Sequence, residues 1–428
     1  MKTVYGSSSL RAGTLAQHSP ITTSLLDTDF YKFTMGDLIH LRHAHVHVTL
    51  RFKNRTTAVR LEEIVTEQAL RWELDAAREL TMSDDELTYL ESIKMSGKPM
   101  FRTEYLDFLS RFHLPRYDLR YNKNGVDLSF SGEWSKATYW EIPGLYIPNE
   151  LYTRAIFAEL GEKEQQEVLA QRESRLTQKI NRLTMLPGIC FSDFGTRRRA
   201  ERTWHEHLIS RLTKELPRTQ FLGTSNTLLA KKFGINPIGT SAHELYMVYA
   251  GIYGATNEGL RGSHNRVLRD WWERYGYDLS IALTDTFGSE FFFSDMTKEQ
   301  AAAWKGLRQD SGDPAEFGRR FIKFYASHGI DPKEKILIWS DGLDLDTMES
   351  LEKEFSGQLI PRFGWGTNLT NDWGIKPLSL VIKAASANGA DLVKLSDNPA
   401  KKHGDRKELQ RYKEVFSYQG GSFKECLY

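Results

Sequence analysis

Residues 188–196 read GICFSDFGT, a short apolar run that ends in Asp, Gly and Thr. The same pattern recurs seven more times downstream, and most copies are followed by a segment with helical periodicity. The alternation of strand and helix predicts a parallel sheet, either doubly wound or closed as a barrel. Eight strand candidates favour the barrel, and their uneven spacing predicts an irregular one. The other runs are FLGTSN (221–226), INPIGTSAHE (235–244), ALTDTFG (282–288), LRQDSGD (307–313), ILIWSDG (336–342), IPRFGWGT (360–367) and SLVIK (379–383).

The first 150 residues carry a different pattern, in which apolar and polar residues alternate as in antiparallel strands. Residues 46–52 read VHVTLRF and predict one strand. Residues 117–134 contain two alternating runs around the turn signal at 123–125, which predicts a hairpin. Residues 61–80 are charged and periodic, as in a helix. This part of the chain is therefore predicted to be an α+β domain.

These patterns predict four regions along the chain. Residues 1–20, rich in Ser, Gly and Thr, form a disordered tail. Residues 21–155 form the α+β domain, and residues 156–390 form the irregular barrel, with the site at its C-terminal mouth. Residues 391–428 form a C-terminal segment that packs on the N-terminal domain.

The composition excludes several classes of protein. Across 428 residues, 57 Lys and Arg balance 56 Asp and Glu, so the chain lacks the positive charge of a dedicated nucleic-acid or membrane-surface binder. Its two cysteines provide neither a disulfide framework nor a zinc motif, and no apolar stretch is long enough to span a bilayer. We therefore predict a cytoplasmic protein with no nucleic-acid or membrane partner.

Gly-Thr dipeptides follow four of the apolar runs, at 195–196, 223–224, 239–240 and 366–367. Glycine permits close backbone approach, and the free N–H groups of a following helix bind phosphate. The same dipeptides are also good strand-to-helix turns. Four copies are predicted to lie on one rim. With this many copies, a phosphate-binding mouth is as good an interpretation as a set of simple turns.

Two residues near the starts of predicted helices could act on a ligand. Arg197 lies nearest to the end of its strand, where a guanidinium fork binds carboxylate or phosphate, whereas the arginines after it fit a solvated helix face. His243 is three residues after Thr240 and could be a general base, a metal ligand or a phosphoryl acceptor. A surface or packed histidine is the alternative interpretation.

Acidic residues recur at the predicted strand ends. Arg308 and Asp310 are two positions apart and would share one face of an extended strand, presenting a cation to phosphate beside an anion for sugar hydroxyls or magnesium. Asp313 also fits a turn and a helix cap. From the residues alone, we predict a barrel-like enzyme whose ligand combines phosphates, a sugar and a carboxylate. The acids at strand ends are Asp193, Asp285, Asp310, Asp313 and Asp341.

Ten motifs together resemble those of the nicotinate phosphoribosyltransferase family. They occur in the same order as in the family and span nearly the whole chain from residue 24. They are SLLDTDFYKFTM (24–35), SGEW (131–134), FSDFGTRRR (191–199), LGTSNTLLAKKFGINPIGTSAHE (222–244), ALTDTFG (282–288), RQDSGDP (308–314), SDGLD (340–344), FGWGTNLTND (363–372), KPLSLVIK (376–383) and KLSDNPAKK (394–402).

The resemblance implies a fold and an activity. The fold is an irregular α/β barrel of the type II phosphoribosyltransferase kind with an N-terminal α+β domain. The activity converts nicotinate and 5-phosphoribosyl 1-diphosphate into nicotinate mononucleotide and diphosphate in NAD salvage, with coupled hydrolysis of ATP and with Mg²⁺. Members of the family usually form homodimers whose active sites can borrow a residue from the partner.

The resemblance also implies roles for individual residues. His243 matches the histidine that ATP phosphorylates, and Phe194 and Tyr31 match aromatic residues that sandwich the pyridine ring, with Tyr31 supplied by the other subunit. Arg197, Arg308 and Asp310 complete the predicted catalytic set. The metal ligands are left open, with Mg²⁺ expected near Asp285 and Asp310 through the diphosphate. The remaining matches are Asp285 near the ribose, Asp341, Gly342, Gly366 and Thr367 around the ribose and 5-phosphate, Ser225 and Thr240 in the base pocket, and Lys394 and Ser396 near the phosphates.

Two alternatives stay open. A related transferase could use nicotinamide or quinolinate, although the neutral Ser225 stands where nicotinamide users carry an acid, which favours a carboxylate substrate. A non-catalytic phosphosugar-binding protein on the same fold would be expected to lose charged residues at the mouth. His243, Arg197, Arg308 and Asp310 are all present, and this favours an enzyme.

Overall fold

The computed structural model describes residues 19–123 and 125–420. Nearly all of the predicted tail and the tip of the predicted hairpin, Asn124, lie outside the described residues. The strands are β1 (His47–Asn54), β2 (Lys94–Met95), β3 (Lys98–Pro99), β4 (Tyr117–Asn122), β5 (Gly125–Glu133), β6 (Phe191–Asp193), β7 (Phe221–Thr224), β8 (Ile281–Leu283), β9 (Gly306–Gln309), β10 (Ile336–Trp339), β11 (Ile360–Trp365), β12 (Leu380–Ala387) and β13 (Ala390–Asp391).

Helices connect and cover these strands. The α-helices are α1 (Tyr31–Arg42), α2 (Leu61–Ile64), α3 (Glu67–Arg78), α4 (Asp84–Ser92), α5 (Thr103–Ser110), α6 (Trp134–Ala137), α7 (Pro143–Ala158), α8 (Glu162–Thr184), α9 (Arg202–Glu215), α10 (Thr227–Phe233), α11 (His243–Tyr253), α12 (Asn257–Tyr275), α13 (Ser289–Asp295), α14 (Lys298–Ala303), α15 (Pro314–Ser327), α16 (Leu345–Phe355), α17 (Thr367–Thr370) and α18 (Arg406–Val415). Short 3₁₀ turns occur at Thr138–Trp140, Thr196–Arg198, Pro332–Glu334 and Pro399–Lys401.

An antiparallel sheet in the order β13-β12-β1-β5-β4 forms the core of the N-terminal part. The predicted strand and hairpin are confirmed, because β1 covers the VHVTLRF run and β4 pairs with β5 across the predicted turn. The predicted helix over 61–80 is present as α2 and α3, which are separated where the Thr66 hydroxyl caps α3 by accepting from Ala69 N.

Six of the eight predicted barrel strands form one parallel sheet in the order β7-β6-β11-β10-β9-β8. Their residues are largely buried on both faces, as expected where helices cover a parallel sheet. The mixed α/β fold with a separate N-terminal part is confirmed. Among the described residues, the strand pairing does not join β7 to β8, so closure of the sheet into the expected barrel stays a prediction.

Two of the predicted barrel strands are placed differently. The 379–383 run lies in β12, which pairs antiparallel with β1, and its burial alternates as in a sheet with one buried face. The 235–244 run makes only an isolated parallel bridge between Pro237 and Thr224. Proline cannot donate to a ladder, which explains why no strand continues there.

Helix α7 packs tightly between the N-terminal sheet and the parallel sheet. A Cβ atom on its Gly144 would lie 2.6 Å from Ile382 Cδ1, so only glycine allows this approach. Trp140, just before the helix, stacks on Phe130 of β5 with ring centroids 4.7 Å apart. The aromatic residues just before α7 are therefore part of the core of the N-terminal sheet.

The C-terminal segment contacts several parts of the chain. Phe416 stacks on Phe287 after β8, with ring centroids 4.3 Å apart, and Arg261 of α12 donates to Val415 O at 2.9 Å. From the N-terminal part, Arg55 lies 3.4 Å from Lys401 O. The predicted boundary at residue 390 falls inside the β12–β13 pair. Among the described residues, no helix combines the length and apolarity needed to cross a bilayer.

A buried ion pair fastens the segment before α1 to the parallel sheet. Arg199 donates to both oxygens of Asp27, at 2.6 and 2.8 Å, and both side chains are almost fully buried. Asn226 Nδ2 donates to the same carboxylate at 2.7 Å, and the guanidinium lies over the Tyr146 ring of α7. Burial alone would raise the pKa of Asp27, but Arg199 and Asn226 hold it below its usual range.

Replacing Arg199 by Met should destabilise the protein by about 3–5 kcal/mol at neutral pH, because Asp27 would stay ionised and buried without its partner. Urea denaturation measures the effect. The control R319M removes a guanidinium from an exposed pair with Glu354 and should leave the unfolding midpoint nearly unchanged. Equal midpoints for R199M and R319M would contradict the structural role of Arg199.

Candidate active site

A cavity of about 200 Å³ opens at the carboxyl ends of the parallel strands. Thirteen of the fifteen predicted site residues line it, and the other two, Asp285 and Ser396, lie directly behind it. Ser396 Oγ lies 3.3 Å from Asp285 Oδ2, and Asp285 Oδ1 lies 3.7 Å from His243 Nε2. The thirteen are Tyr31, Phe194, Arg197, Ser225, Thr240, His243, Arg308, Asp310, Asp341, Gly342, Gly366, Thr367 and Lys394.

His243 begins α11 and lies between acidic and basic groups. Its Nδ1 is 2.9 Å from Thr286 Oγ1, and its Nε2 is 2.8 Å from both Asp310 Oδ2 and Lys394 Nζ. Burial and the charge of Lys394 lower the pKa of His243 to about 4, although Asp285 and Asp310 oppose this shift. The imidazole is therefore neutral at neutral pH and keeps a lone pair for a nucleophilic role.

Asp285 and Asp310 are both ionised beside this histidine. Burial alone would raise the pKa of each carboxyl group. The charge of Lys394, joined by that of His243 once this histidine is protonated at low pH, instead holds the pKa of Asp285 at about 2. The hydrogen bond with His243 and the charge of Arg308 hold the pKa of Asp310 well below its usual range.

These acids and the histidine could hold a divalent cation. One ligand atom from each of His243, Asp285 and Asp310 lies within 4.8 Å of the others. Asp285 Oδ1 is buried without a hydrogen-bond partner, which leaves it available as a ligand. Mg²⁺ prefers oxygen ligands and typically takes one or two carboxylates together with substrate phosphates, so the carboxylates of Asp285 and Asp310 fit it.

Basic side chains line the same half of the cavity. Arg308 donates to Ser241 O at 3.0 Å, and Lys401 Nζ lies 2.6 Å from Asp341 Oδ1. Lys383 also lines the cavity, and burial together with the charges of Lys394 and other basic neighbours lowers its pKa to about 5. Lys383 is therefore uncharged at neutral pH, and a bound phosphate would raise its pKa. The cationic side chains of Arg308 and Lys401 suit a ligand with several phosphate charges.

Sequence analysis missed some of these basic residues. Lys401 belongs to the KLSDNPAKK motif, which had already indicated a basic loop and could have revealed it. Arg55 and Lys383 come from the ends of β1 and from β12, and they meet at the cavity only because these two strands pair. No local sequence signal reports that pairing.

The other half of the cavity combines aromatic rings with Arg197. Phe194 follows β6. Tyr31 begins α1, and its hydroxyl donates to Glu141 Oε2 at 3.1 Å. Arg197 Nη1 lies 3.8 Å from Glu141 Oε1. Ser225 Oγ lies 2.6 Å from Asp29 Oδ1, so a carboxyl group that sequence analysis missed lies at this end. Rings beside a guanidinium suit a planar ligand that carries a carboxylate.

Within the described chain, Tyr31 itself lines the cavity with Phe194, and the contribution of Tyr31 from another subunit stays a prediction. Phe30 N donates to Ser225 O at 2.6 Å, and Asp29 bridges Asn226. A Cβ atom on Gly239 would lie only 2.8 Å from Tyr31 N. This close backbone packing brings Tyr31 to the cavity within one chain.

A buried lysine supports the aromatic end. Lys32 Nζ lies 2.6 Å from Glu141 Oε2 and 2.9 Å from Glu244 Oε2. Glu244 also accepts from Trp134 Nε1 at 2.7 Å. The two glutamates raise the pKa of Lys32 although burial opposes them. Lys32, Trp134 and Glu244 belong to matched motifs and Glu141 does not, and the residues that contact each other are distant in sequence.

The Gly-Thr dipeptides divide into two groups. Thr240 and Thr367 line the cavity, whereas Thr224 lies behind it and donates to Asp193 Oδ2 at 2.6 Å. Thr196 is also buried and lies 3.3 Å from Ser225. Two of the four copies therefore support loops, and two face the ligand space.

The remaining acidic residues separate in the same way. Asp193 is buried and accepts from Gly195 N and Thr224, so it joins the loops after β6 and β7. Asp313 caps α15 by accepting from Glu316 N at 2.8 Å, in line with its interpretation as a cap. Gly342 lines the cavity with a φ of 59°, a conformation that favours glycine.

Comparisons with known proteins give one consistent result. Residues 189–420 match the model of the nicotinate phosphoribosyltransferase (NAPRTase) family, and residues 26–149 match the model of its N-terminal domain. A solved nicotinate phosphoribosyltransferase from Porphyromonas gingivalis is 30% identical with a TM-score of 0.81, covering 93% of this chain and 100% of its own.

A second solved nicotinate phosphoribosyltransferase, from Vibrio cholerae, is 31% identical with a TM-score of 0.81 and covers 93% of this chain and 94% of its own. The two family models together account for most of the sequence, and the structural likeness extends over both sheets. The chain therefore belongs to the nicotinate phosphoribosyltransferase family.

Proposed function

We propose that this protein transfers phosphoribose from 5-phosphoribosyl 1-diphosphate to nicotinate in NAD salvage, with coupled hydrolysis of ATP. Membership of the family supports the transfer reaction. The observation that carries the coupled reaction is the neutral His243 beside Lys394 and two ionised aspartates, in a cavity with an aromatic, arginine-containing end.

Nicotinate binds at the aromatic end in this proposal. The rings of Tyr31 and Phe194 take the faces of the pyridine, and Arg197 attracts its carboxylate. Glu141 lies near both Tyr31 and Arg197 and limits where each can point. The ring nitrogen is thereby directed towards the other half of the cavity.

The ribosyl donor occupies that other half. The loops that carry Asp341, Gly342, Gly366 and Thr367 follow β10 and β11 and take the ribose and the 5-phosphate. Arg308, Lys394 and Lys401 take the diphosphate, with Ser396 behind Lys394 supporting the loop. Thr240 lies between the two halves, since its carbonyl accepts from Thr34 at the start of α1.

The reaction needs charge stabilisation more than covalent help from the protein. As the C1–oxygen bond breaks, negative charge grows on the diphosphate and positive charge on the ribose, while the ring nitrogen attacks C1 from the opposite face. Arg308 and the lysines stabilise the leaving diphosphate. Asp285 and Asp310 would hold Mg²⁺, which supplies further neutralisation of the diphosphate charge when bound.

His243 is the proposed acceptor of a phosphoryl group from ATP. An unprotonated nitrogen attacks the terminal phosphorus, and ADP leaves. The phosphohistidine adds about −1.5 to −2 charge beside Lys394 and Asp310. Attraction of Lys394 and repulsion of the aspartate would rearrange the loop and favour tight substrate binding, and later hydrolysis would reset it.

Two further properties belong to the same proposal. The proposal includes a homodimer with shared active sites, and within the described chain Tyr31 lines its own cavity. A cytoplasmic location follows from the near-balanced charge and the low cysteine content of the sequence.

Product analysis with the ribosyl donor and Mg²⁺ tests the function. Nicotinate and nicotinamide are each supplied with and without ATP, and mononucleotide and phosphate are measured. We expect nicotinate mononucleotide, with a yield that ATP increases, because Arg197 favours the carboxylate substrate. Product from nicotinamide alone would contradict the base assignment, and no product from either would support quinolinate use or a binding role.

Replacing His243 by Ala should lower substrate-dependent ATP hydrolysis by about a hundredfold or more, because the phosphoryl acceptor is lost. Some uncoupled transfer should remain at high substrate concentration. Phosphate release and mononucleotide formation are measured together. The control H207A changes an exposed histidine that pairs with Glu173 and should keep the coupling. ATP hydrolysis at the parent rate in H243A would refute the phosphohistidine.

Replacing Asp285 by Asn should raise the Mg²⁺ concentration needed for half-maximal activity by about tenfold or more, because an ionised ligand becomes neutral. Activity is titrated with Mg²⁺ at saturating substrates. D313N is the matched control, because Asn is also a good helix cap and Asp313 is not among the cavity residues. An unchanged Mg²⁺ titration in D285N would place the metal elsewhere.

A further inference from the structure

The Ser225 hydroxyl at the aromatic end of the cavity has a carboxyl neighbour. Ser225 Oγ lies 2.6 Å from Asp29 Oδ1, and both residues line the cavity with Phe194 and Arg197. Among the described residues, the only other side chain within hydrogen-bond distance of Ser225 Oγ is Thr196, at 3.3 Å. Asp29 is 3% exposed, and its backbone is held by an isolated antiparallel β-bridge to Asn226. The pair is thus a built feature of the base pocket.

A hydroxyl group has one proton, so its partners decide what it offers to a ligand. An ionised Asp29 can only accept, so the Ser225 O–H donates its hydrogen bond to the carboxylate. Ser225 then presents lone pairs to the cavity, which suits the N–H of an amide and disfavours a carboxylate. A protonated Asp29 donates to Ser225, and the Ser225 O–H is then free to donate to a carboxylate.

We propose that Asp29 sets the choice between the carboxylate and the amide form of the pyridine substrate, by deciding whether Ser225 donates or only accepts a hydrogen bond. The inference rests on the proposed function, because it assumes that the pyridine ring binds beside Phe194. Asp29 is here a specificity-determining residue that acts through Ser225.

The surroundings of Asp29 favour its protonated form more than water would. Burial raises the pKa of Asp29, and the charge of Asp193 in β6 adds to this, while the hydrogen bond from Ser225, the charge of Arg197 and the hydrogen bond from Thr196 oppose it. Tyr31, from the same segment, is a further titratable neighbour. A bound nicotinate anion would raise the pKa further by like-charge repulsion, so nicotinate binding takes up a proton at Asp29.

The sign of the pH effect follows from this coupling. Nicotinate binds best below the pKa of Asp29 in the complex, and its binding weakens as the pH rises through that value. Nicotinamide gains nothing from protonation of Asp29. The preference for nicotinate over nicotinamide should therefore fall with rising pH, by about tenfold to a hundredfold for the loss of one charge-assisted hydrogen bond.

The test measures kcat/KM for nicotinate from about pH 5 to about pH 9, with nicotinamide as alternative substrate or competitive inhibitor. D29N should show a preference for nicotinate that varies little with pH, because the Asn amide does not titrate and its Nδ2 can donate to Ser225. S225A should lose most of the pH dependence. D313N should behave as the parent protein, and near-UV circular dichroism checks that each variant is folded.

The double variant D29N/S225A separates a relay through Ser225 from a direct charge effect. We expect D29N to change the preference much less in the S225A background. A pH profile of D29N equal to that of the parent, or an equal effect of D29N with and without Ser225, would overturn the proposal. Absence of nicotinate turnover by the parent at every pH would instead refute the proposed function itself.

Discussion

The buried pair between Asp27 and Arg199 is the interaction on which the site most depends. It joins the segment before α1 to the loop after β6, at a place where neither charge can reach water. Tyr146 of α7 and Asn226 after β7 complete its surroundings, so one carboxylate ties three elements together. Asp29 and Tyr31 follow two and four residues after Asp27, so this anchor helps to place both at the cavity.

The same anchor explains why the cavity has two chemically different ends. The segment from Asp29 to Lys32 brings a ring and a buried lysine that is neutralised by Glu141 and Glu244. The strand ends and the loop around Lys394 bring ionised acids and several cations. A planar, singly charged ligand group fits the first end, and a polyphosphate fits the second. The distance between the reacting groups is then set by the scaffold rather than by the ligands.

Sequence reasoning succeeded where the information is local. Short sequence patterns predicted strands that are buried on both faces, such as β6, and the hairpin of β4 and β5. His243 and Arg308 were identified from their positions after apolar runs. It failed where two distant segments meet. The 379–383 run looked like another barrel strand, because only its pairing with β1 reveals the other sheet. Asp29 and Lys383 were missed for the same reason.

The charges around His243 argue that metal and diphosphate enter together. Lys394 lies 3.3 Å from Asp285 and Lys401 lies 2.6 Å from Asp341, so the acids and cations of the cavity neutralise each other. A polyphosphate alone would draw the lysines away and leave buried carboxylates unpaired, which is costly. A divalent cation alone would bind the carboxylates and leave the lysines without their partners. The proposed Mg²⁺–diphosphate complex offers each group a new partner at once, so the site can bind it without leaving an uncompensated charge.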